Sequence, residues 1–209
     1  MEVLDTGFFV AWFEEAARLV RRDRDRLTAL DAAIGDADHG TNLDRGLTEV
    51  AKALAERPPQ SPADALDTAG ATLIRRVGGA SGPLYGSVFR QMGRTLEAPV
   101  TADAFAAAFQ EGVTALERLG KAAPGDKTMV DALAPAAQAL ASAVRDGAGA
   151  REACERAATA AAEGARTTVP MQARKGRASY LGERSVGHED PGAASAALIL
   201  AALAAVAAA

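Results

Sequence analysis

The sequence predicts an all-α fold, and three observations lead to that prediction. Apolar residues recur at helical spacing along almost the whole chain. Strand signals are weak, because the chain has only three isoleucines and no alternating run of β-branched or aromatic residues. Start and stop residues punctuate the periodic segments and divide the chain into about eight helices. We therefore expect one domain over residues 1–209, an antiparallel bundle or barrel with short loops between neighbouring helices.

The helices can be followed in chain order. The apolar spacing from Phe8 to Ile34 predicts one long first helix or a broken pair. The segment "ERPPQSP" at 56–62 is the clearest break between two helices. Further along, Ser61 and Thr101 are typical N-caps, and the residues that indicate helix ends are Gly78, Gly79, Gly120 and Gly147. A regular apolar pattern from Val130 to Val144 predicts another helix, and the alanine-rich C-terminus predicts a buried last one.

Composition excludes several classes of function. The net charge of −4 and the absence of a basic face with interleaved aromatics argue against nucleic acid as a partner. The apolar C-terminal segment of 17 residues is mostly alanine and lacks flanking basic residues, so we expect no membrane span. The single cysteine, Cys154, and an acidic N-terminus that does not resemble a signal peptide favour a reduced, cytoplasmic protein.

The stretch "LDAAIGDADHGTN" at 30–42 concentrates polar groups between two helices. If the first helix ends near Gly35, Asp31 lies in its last turn, and Asp36 and Asp38 point the same way from an extended segment. Three carboxylates at the negative end of a helix dipole are unfavourable unless a cation joins them. The pattern therefore favours a metal site at Asp31, Asp36 and Asp38, with helix and turn capping as the alternative.

Carboxylate oxygens without cysteine suit magnesium, calcium or manganese. An EF-hand counted from Asp36 fails, because positions 5, 6 and 12 hold Gly40, Thr41 and Leu47 in place of an acid, a glycine and a glutamate. Magnesium commonly binds a few carboxylates together with substrate phosphates, which fits a loop with few protein ligands. The sequence therefore favours a magnesium–phosphate site.

Three further loops are candidates for phosphate or nucleotide binding. "GGASGPLYG" at 78–86 precedes a helix and offers glycine amides and Ser81, although a plain helix–helix turn has the same composition. In "GKAAPGDKTM" at 120–129, Lys127 meets either phosphate or solvent. The long loop 173–192 places Arg174, Lys175 and Arg177 where they could face phosphates or a base. The chain contains neither a P-loop nor a dinucleotide-binding glycine motif.

In this order, "IGDADHGTN", "GGASGPLYG", "PGDKTMVDAL" and "ARKGRASYLGERSVGHEDPGA" resemble the L subunits of bacterial dihydroxyacetone kinases, which are ADP-binding components. The resemblance covers nearly the whole chain. It implies an eight-helix antiparallel barrel that holds the nucleotide at one end, with ADP or ATP bound through Mg²⁺.

The resemblance also implies roles for particular residues. Asp31, Asp36 and Asp38 would hold magnesium, and Gly120, Met129 and Arg177 would border the adenosine. The residues that would surround the phosphates are His39, Gly40, Thr41, Asn42, Ala80 and Ser81. The residues that would close the site are Asp190, Pro191 and Gly192.

The resemblance also implies that the protein acts together with other subunits. A K subunit holds dihydroxyacetone covalently, and in the stand-alone form of the L subunit an M subunit rephosphorylates the bound ADP at the expense of phosphoenolpyruvate. At 209 residues the chain is similar in length to that stand-alone form, and we expect a homodimer. The alternatives are the nucleotide domain of an ATP-dependent dihydroxyacetone or fatty-acid kinase, and an ADP-sensing module that acts on a transcription regulator.

Overall fold

A computed structural model describes residues 3–209, and this part of the chain contains eight α-helices and one 3-10 segment without any strand. The helices are α1 (Thr6–Ile34), α2 (His39–Glu56), α3 (Pro62–Arg76), α4 (Ser81–Thr95), α5 (Ala102–Gly120), α6 (Val130–Arg145), α7 (Ala150–Thr167) and α8 (Pro191–Ala207). The 3-10 segment is Arg177–Ser185. The all-α prediction is confirmed.

The helices form a closed ring. Each helix packs against the next one in the chain, and α8 also packs against α1. Successive helices run antiparallel, so the loops after α1, α3, α5 and α7 all lie at one end of the barrel. The four glycine-rich segments of the sequence are these four loops, which is how they come together.

The opposite end is filled with aromatic rings. Trp12, in the first turns of α1, stacks on Phe13 and meets Phe89 and Phe105 edge to face, and its indole N–H donates to the carbonyl of Ile199 at 2.8 Å. The aromatic side chains therefore pack α1 against α4, α5 and α8 at the end of the barrel away from the polar loops. The loop end is left free for binding.

Local signals explain most helix ends. Ser61 and Thr101 accept hydrogen bonds from the amides of Asp64 and Ala104, as their N-cap prediction requires. Gly147 follows α6 with a φ of 86°, as expected of a stop residue. Gly120 is different: it is still helical, and the left-handed position after α5 is taken by Lys121, with a φ of 48°.

Two other expectations are resolved by the structure. Residues 6–34 form one continuous helix rather than a broken pair. The C-terminal helix α8 is apolar on all sides and packs against α1, α6 and α7, which confirms the prediction of a buried last helix. Among the described residues, no helix is both long and apolar enough to cross a membrane.

Candidate functional site

The four loops at one end of the barrel enclose a cavity of about 400 Å³. All but two of the binding residues that the family resemblance implies line it; the lining ones are Asp31, Asp36, Asp38, His39, Asn42, Ala80, Ser81, Gly120, Met129, Arg177, Asp190, Pro191 and Gly192. The exceptions are Gly40 and Thr41. The barrel topology thus brings residues as far apart in sequence as Asp31 and Asp190 to one place.

The three aspartates converge at the rim of the cavity. One carboxylate oxygen from each lies within 4.8 Å of the others. Asp31 is buried in the last turn of α1, whereas Asp36 and Asp38 are exposed in the loop. Hard carboxylate oxygens at this spacing fit a divalent cation such as Mg²⁺, with room for water or phosphate oxygens at its remaining positions.

The buried carboxylate of Asp31 is also tied to the start of α2. Its Oδ2 accepts hydrogen bonds from the amides of Asp38 at 2.8 Å and His39 at 3.1 Å. These bonds fix Asp31 and satisfy two amides at the positive end of α2. The same side chain that is predicted to bind a cation therefore also caps α2.

Glycine is required beside this carboxylate. A Cβ on Gly35 would lie 2.0 Å from Oδ1 of Asp31. At the solvent side, Arg177 pairs with Asp36, with 2.9 Å between Nη1 and Oδ2. The guanidinium therefore offsets part of the negative charge of the cluster, and the 3-10 segment is tethered to the aspartate loop.

The first turn of α2 meets the cavity on one side only. His39 and Asn42 line the cavity, whereas Gly40 faces α1, where an added Cβ would lie 2.1 Å from the carbonyl oxygen of Arg24. Thr41 is exposed outside the cavity. Gly40 thus permits the close approach of α2 to α1.

The start of α4 supplies a second set of backbone donors. Leu84 is the first residue of this helix whose amide bonds back, to the carbonyl of Ala80, so the amides of Ser81 and Gly82 precede the helical ladder. Gly79 has a φ of 67° and open space where a side chain would be. Backbone N–H groups at a helix start are suited to anions such as phosphate.

A buried polar network lies directly beneath these two helix starts. Nδ1 of His39 is 3.1 Å from Oγ of Ser81, and Nε2 is 2.9 Å from Oγ of Ser195 on α8. The phenol oxygen of Tyr85 lies 2.7 Å from the same Ser195 oxygen. Burial lowers the pKa of His39 and raises the pKa of Tyr85, which favours the neutral form of both rings.

The far wall of the cavity is apolar. Leu84, Leu116 and Leu119 face it together with Gly120 and Met129. Leu119 is 54% exposed, so an apolar edge is open to a flat ligand group at the mouth of the cavity. These leucines were not predicted as binding residues, because a leucine on a helix has no signal that separates a binding wall from core.

Lys127 differs from its sequence-based expectation, which was contact with phosphate or solvent. The side chain is 1% exposed, and Nζ donates to the carbonyls of Thr168, at 2.8 Å, Met171, at 3.1 Å, and His188. Burial lowers the pKa of this ammonium group. Lys127 therefore fastens both ends of the 173–192 loop from inside.

Asp190 closes the site at the start of α8. Its Oδ2 accepts from the amide of Ala193 at 2.7 Å, so it is the N-cap of α8. Burial raises the pKa of Asp190 to about 7, the nearby Asp131 adds to that rise, and Lys127 opposes it. The start of α8 is therefore occupied by a protein carboxyl, in contrast to the start of α4.

Two further functional candidates were not predicted from the sequence. Tyr85 lies in a motif that was noted for its glycines, and Ser195 is the one hydroxyl residue in the alanine-rich α8. A lone polar residue in an apolar, buried helix is a signal that could have identified Ser195, because buried hydroxyls need partners.

Comparisons with known proteins identify the family of the chain. The family model described as the DAK2 domain matches residues 33–205. The chain is 39% identical over 196 residues to the ADP-binding subunit DhaL of PEP-dependent dihydroxyacetone kinase 1 of Listeria innocua, with 93% of each chain covered. It is 40% identical over 188 residues to the corresponding DhaL subunit of Escherichia coli K12, which covers 89% of this chain and 90% of that one.

A solved structure is also similar. The crystal structure of the dihydroxyacetone kinase of C. freundii in complex with AMP-PNP and Mg²⁺ matches with a TM-score of 0.75 at 27% identity. The match covers 98% of this chain and 35% of that longer chain.

Proposed function

The chain belongs to the DAK2-domain family, as an ADP-binding subunit of the DhaL type, and on that premise we propose how it works. It carries ADP with Mg²⁺ in the cavity at the loop end of the barrel. A phosphorylated partner converts the bound ADP to ATP, and the phosphoryl group then passes to dihydroxyacetone. Residues 1–209 act as one nucleotide-binding domain in this proposal.

The observation that carries the proposal is the convergence of Asp31, Asp36 and Asp38 within 4.8 Å, at the rim of a cavity that two helix starts also face. The carboxylates would hold magnesium between themselves and the phosphates. Ser81 and the first-turn amides of α2 and α4 would hold phosphate oxygens, and Gly40 and Thr41 enter only through those amides.

The remaining cavity residues fit the other parts of the nucleotide. Leu84, Leu116, Gly120 and Met129 form an apolar wall of the kind that covers a base. Arg177 would border the adenosine from the 3-10 segment. Asp190, Pro191 and Gly192 lie beneath the cavity, where Asp190 caps α8 and fixes the floor.

The chain contributes positioning and electrostatics to phosphoryl transfer. Magnesium, when bound, offsets the negative charge on the transferring phosphoryl oxygens. The helix-start amides orient those oxygens, and the loops exclude part of the solvent from the cavity. No protein nucleophile is needed if the acceptor hydroxyl comes from a substrate on a partner subunit.

The partners follow from the type of kinase. The relatives are subunits of PEP-dependent dihydroxyacetone kinases. We propose that a K subunit presents dihydroxyacetone and that an M subunit returns a phosphoryl group to ADP, each docking in turn at the loop end. A homodimer stays a prediction, which light scattering of the purified protein checks.

Release of bound nucleotide tests the site. The purified protein is denatured, and the supernatant is analysed for nucleotide and magnesium. We expect nearly stoichiometric ADP and Mg²⁺ from the wild type and a large loss of both from Asp36→Asn, because the substitution removes one anionic ligand without changing size. The control is Asp25→Asn, at a carboxylate that is 88% exposed on α1 and does not line the cavity.

An assay of phosphoryl transfer to dihydroxyacetone distinguishes the kinase subunit from the alternative functions. With added K and M subunits and phosphoenolpyruvate, we expect dihydroxyacetone phosphate from the wild type and not from Asp36→Asn. Transfer that requires free ATP and no M subunit would favour the ATP-dependent kinase instead. Bound ADP without transfer under either condition would contradict the kinase proposal and favour an ADP-sensing module.

A further inference from the structure

A chain of four side chains runs from the core to the cavity, and we call it the buried hydrogen-bond chain: Tyr85, Ser195, His39 and Ser81. The successive distances are 2.7 Å, 2.9 Å and 3.1 Å. Tyr85 and Ser195 are 1% and 0% exposed and do not line the cavity, whereas His39 and Ser81 do. The buried hydrogen-bond chain therefore connects the interior with the place where the phosphates are proposed to lie.

The protons in this chain can be distributed in two ways. Each hydroxyl has one proton, and a neutral imidazole has one N–H. In the first arrangement, Ser195 donates to the carbonyl of Gly192 at 3.0 Å, Nε2–H of His39 donates to Ser195, and Ser81 donates to Nδ1. Ser81 then presents only lone pairs to the cavity.

The second arrangement runs in the opposite direction. Tyr85 donates to Ser195, Ser195 donates to Nε2 of His39, and Nδ1–H donates to Ser81. The proton of Ser81 is then free to point into the cavity. The carbonyl of Gly192 loses little, because it lies within α8 and also accepts from the helical ladder.

A phosphate distinguishes between the two arrangements. The oxygens of an ionised phosphate only accept hydrogen bonds, so lone pairs on Ser81 would repel them, whereas a Ser81 proton would bind them. The tautomer of a histidine is set by the hydrogen bond at its other nitrogen, which here is the bond between Nε2 and Ser195. We propose that Ser195 and Tyr85 are positioning residues that hold His39 as the Nδ1–H tautomer and thereby make Ser81 a phosphate donor. This inference rests on the proposed function, because it places the nucleotide phosphates at Ser81.

The tautomer itself is the direct test. His39 and His188 are the only histidines, and His188 is exposed, so His188→Gln leaves a single ring for ¹⁵N NMR of histidine-labelled protein. In the complex with ADP and Mg²⁺ we expect the proton on Nδ1 of His39. A proton on Nε2, or on both nitrogens, would overturn the proposal.

Affinity tests the coupling through Ser81. We expect Ser195→Ala to weaken ADP·Mg²⁺ binding by roughly 2- to 12-fold, the range that corresponds to one hydrogen bond, and to leave His39 in a mixture of tautomers. The matched control is Ser87→Ala, which removes a hydroxyl bonded only within α4. Binding is measured by calorimetry on protein that EDTA has freed of nucleotide.

The double variant decides between coupling and general damage. If the buried hydrogen-bond chain acts through Ser81, Ser195→Ala causes no further loss of ADP·Mg²⁺ affinity in a Ser81→Ala background. An equal cost in both backgrounds would overturn the proposal. Should Ser195→Ala not fold, Tyr85→Phe keeps the ring and removes only the first donor, and its effect on affinity should have the same sign; Tyr180→Phe, 87% exposed, is its control.

The results also separate the two proposals. Wild-type protein that binds no ADP contradicts the proposed function itself. Protein that binds ADP with His39 protonated on Nε2 leaves the function intact and overturns only the role of Ser195 and Tyr85.

Discussion

Replacing Gly35 by alanine should damage the cation site with little change elsewhere. The added Cβ would lie 2.0 Å from Oδ1 of Asp31. Ordinary carbon–oxygen contact is at about 3.5 Å, so the two atoms must separate by about 1.5 Å. The Asp31 carboxylate would then leave both its place beside Asp36 and Asp38 and its bonds to the start of α2.

The structure gives two magnitudes for this change. Oδ2 of Asp31 accepts from the amides of Asp38 and His39, and loss of one such charged hydrogen bond costs about 1.5–3 kcal/mol of unfolding free energy. Metal ligands tolerate shifts of only about 0.2 Å, so Asp31 would cease to be one. We expect ADP·Mg²⁺ to bind about 100-fold more weakly, the upper end of what loss of an orienting partner causes.

Thermal unfolding with and without ligand measures both magnitudes. At a ligand concentration of 100 times the wild-type Kd, binding stabilises the wild type by about 2.7 kcal/mol, or roughly 5–11 °C in Tm. A 100-fold weaker variant gains only about 0.4 kcal/mol, or about 1 °C, under the same conditions. The control is Gly149→Ala, where a Cβ meets nothing within 4 Å. A Gly35→Ala protein with the full ligand-induced shift would refute the reasoning.

Three further predictions concern the scaffold around the site. Gly164→Ala puts a Cβ 2.1 Å from the backbone carbonyl oxygen of Asp131, so α7 must move away from α6, and urea unfolding should show a loss of about 3 kcal/mol; unchanged stability would contradict this packing. Lys127→Met removes the donor to three carbonyls, so the free energy of unfolding should fall by about 3 kcal/mol and trypsin should cleave the 173–192 loop. Lys52→Met, at an exposed lysine, should have neither effect. Burial raises the pKa of Asp190 to about 7 from 3.8, so the folded protein holds a proton that the unfolded chain has lost, and the free energy of unfolding falls as pH rises from about 4 to 7. Asp190→Asn keeps a cap acceptor but does not titrate, so between pH 5 and 7 its free energy of unfolding should fall by about 2–3 kcal/mol less than that of the wild type. Equal pH slopes for the two proteins in urea titrations would disprove the role of Asp190.

The sequence was most informative where the chemistry is local. The end of α1 and the positions of Asp31, Asp36 and Asp38 depend on a helix stop and a spacing of a few residues, so their convergence could be predicted. The helix caps at Ser61 and Thr101 were predictable for the same reason. Barrel closure through α1 and α8 came from the family resemblance rather than from any residue pattern.

The sequence was least informative where partners are distant along the chain. Lys127 bonds to carbonyls 41 to 61 residues away, and no composition rule separates such a buried lysine from a surface one. Gly40 belongs to a motif associated with phosphate, but its Cα faces α1, and only the packing angle of α2 reveals this. The contacts of Ser195 with His39 and with Tyr85 join three helices and were not predictable for the same reason.

The two interpretations of the aspartate cluster, capping and cation binding, turn out to be compatible, and Asp31 shows why. A carboxylate has two oxygens, and the one that accepts from the amides of Asp38 and His39 cannot leave without exposing the start of α2. The three carboxylates nevertheless stay within 4.8 Å of one another, and Arg177 offsets the charge of only one. Because capping holds Asp31 in place before any cation arrives, a cation need not order the loop when it binds, and less of its binding free energy is spent on conformational entropy. The capping bonds thus preorganise the proposed magnesium site.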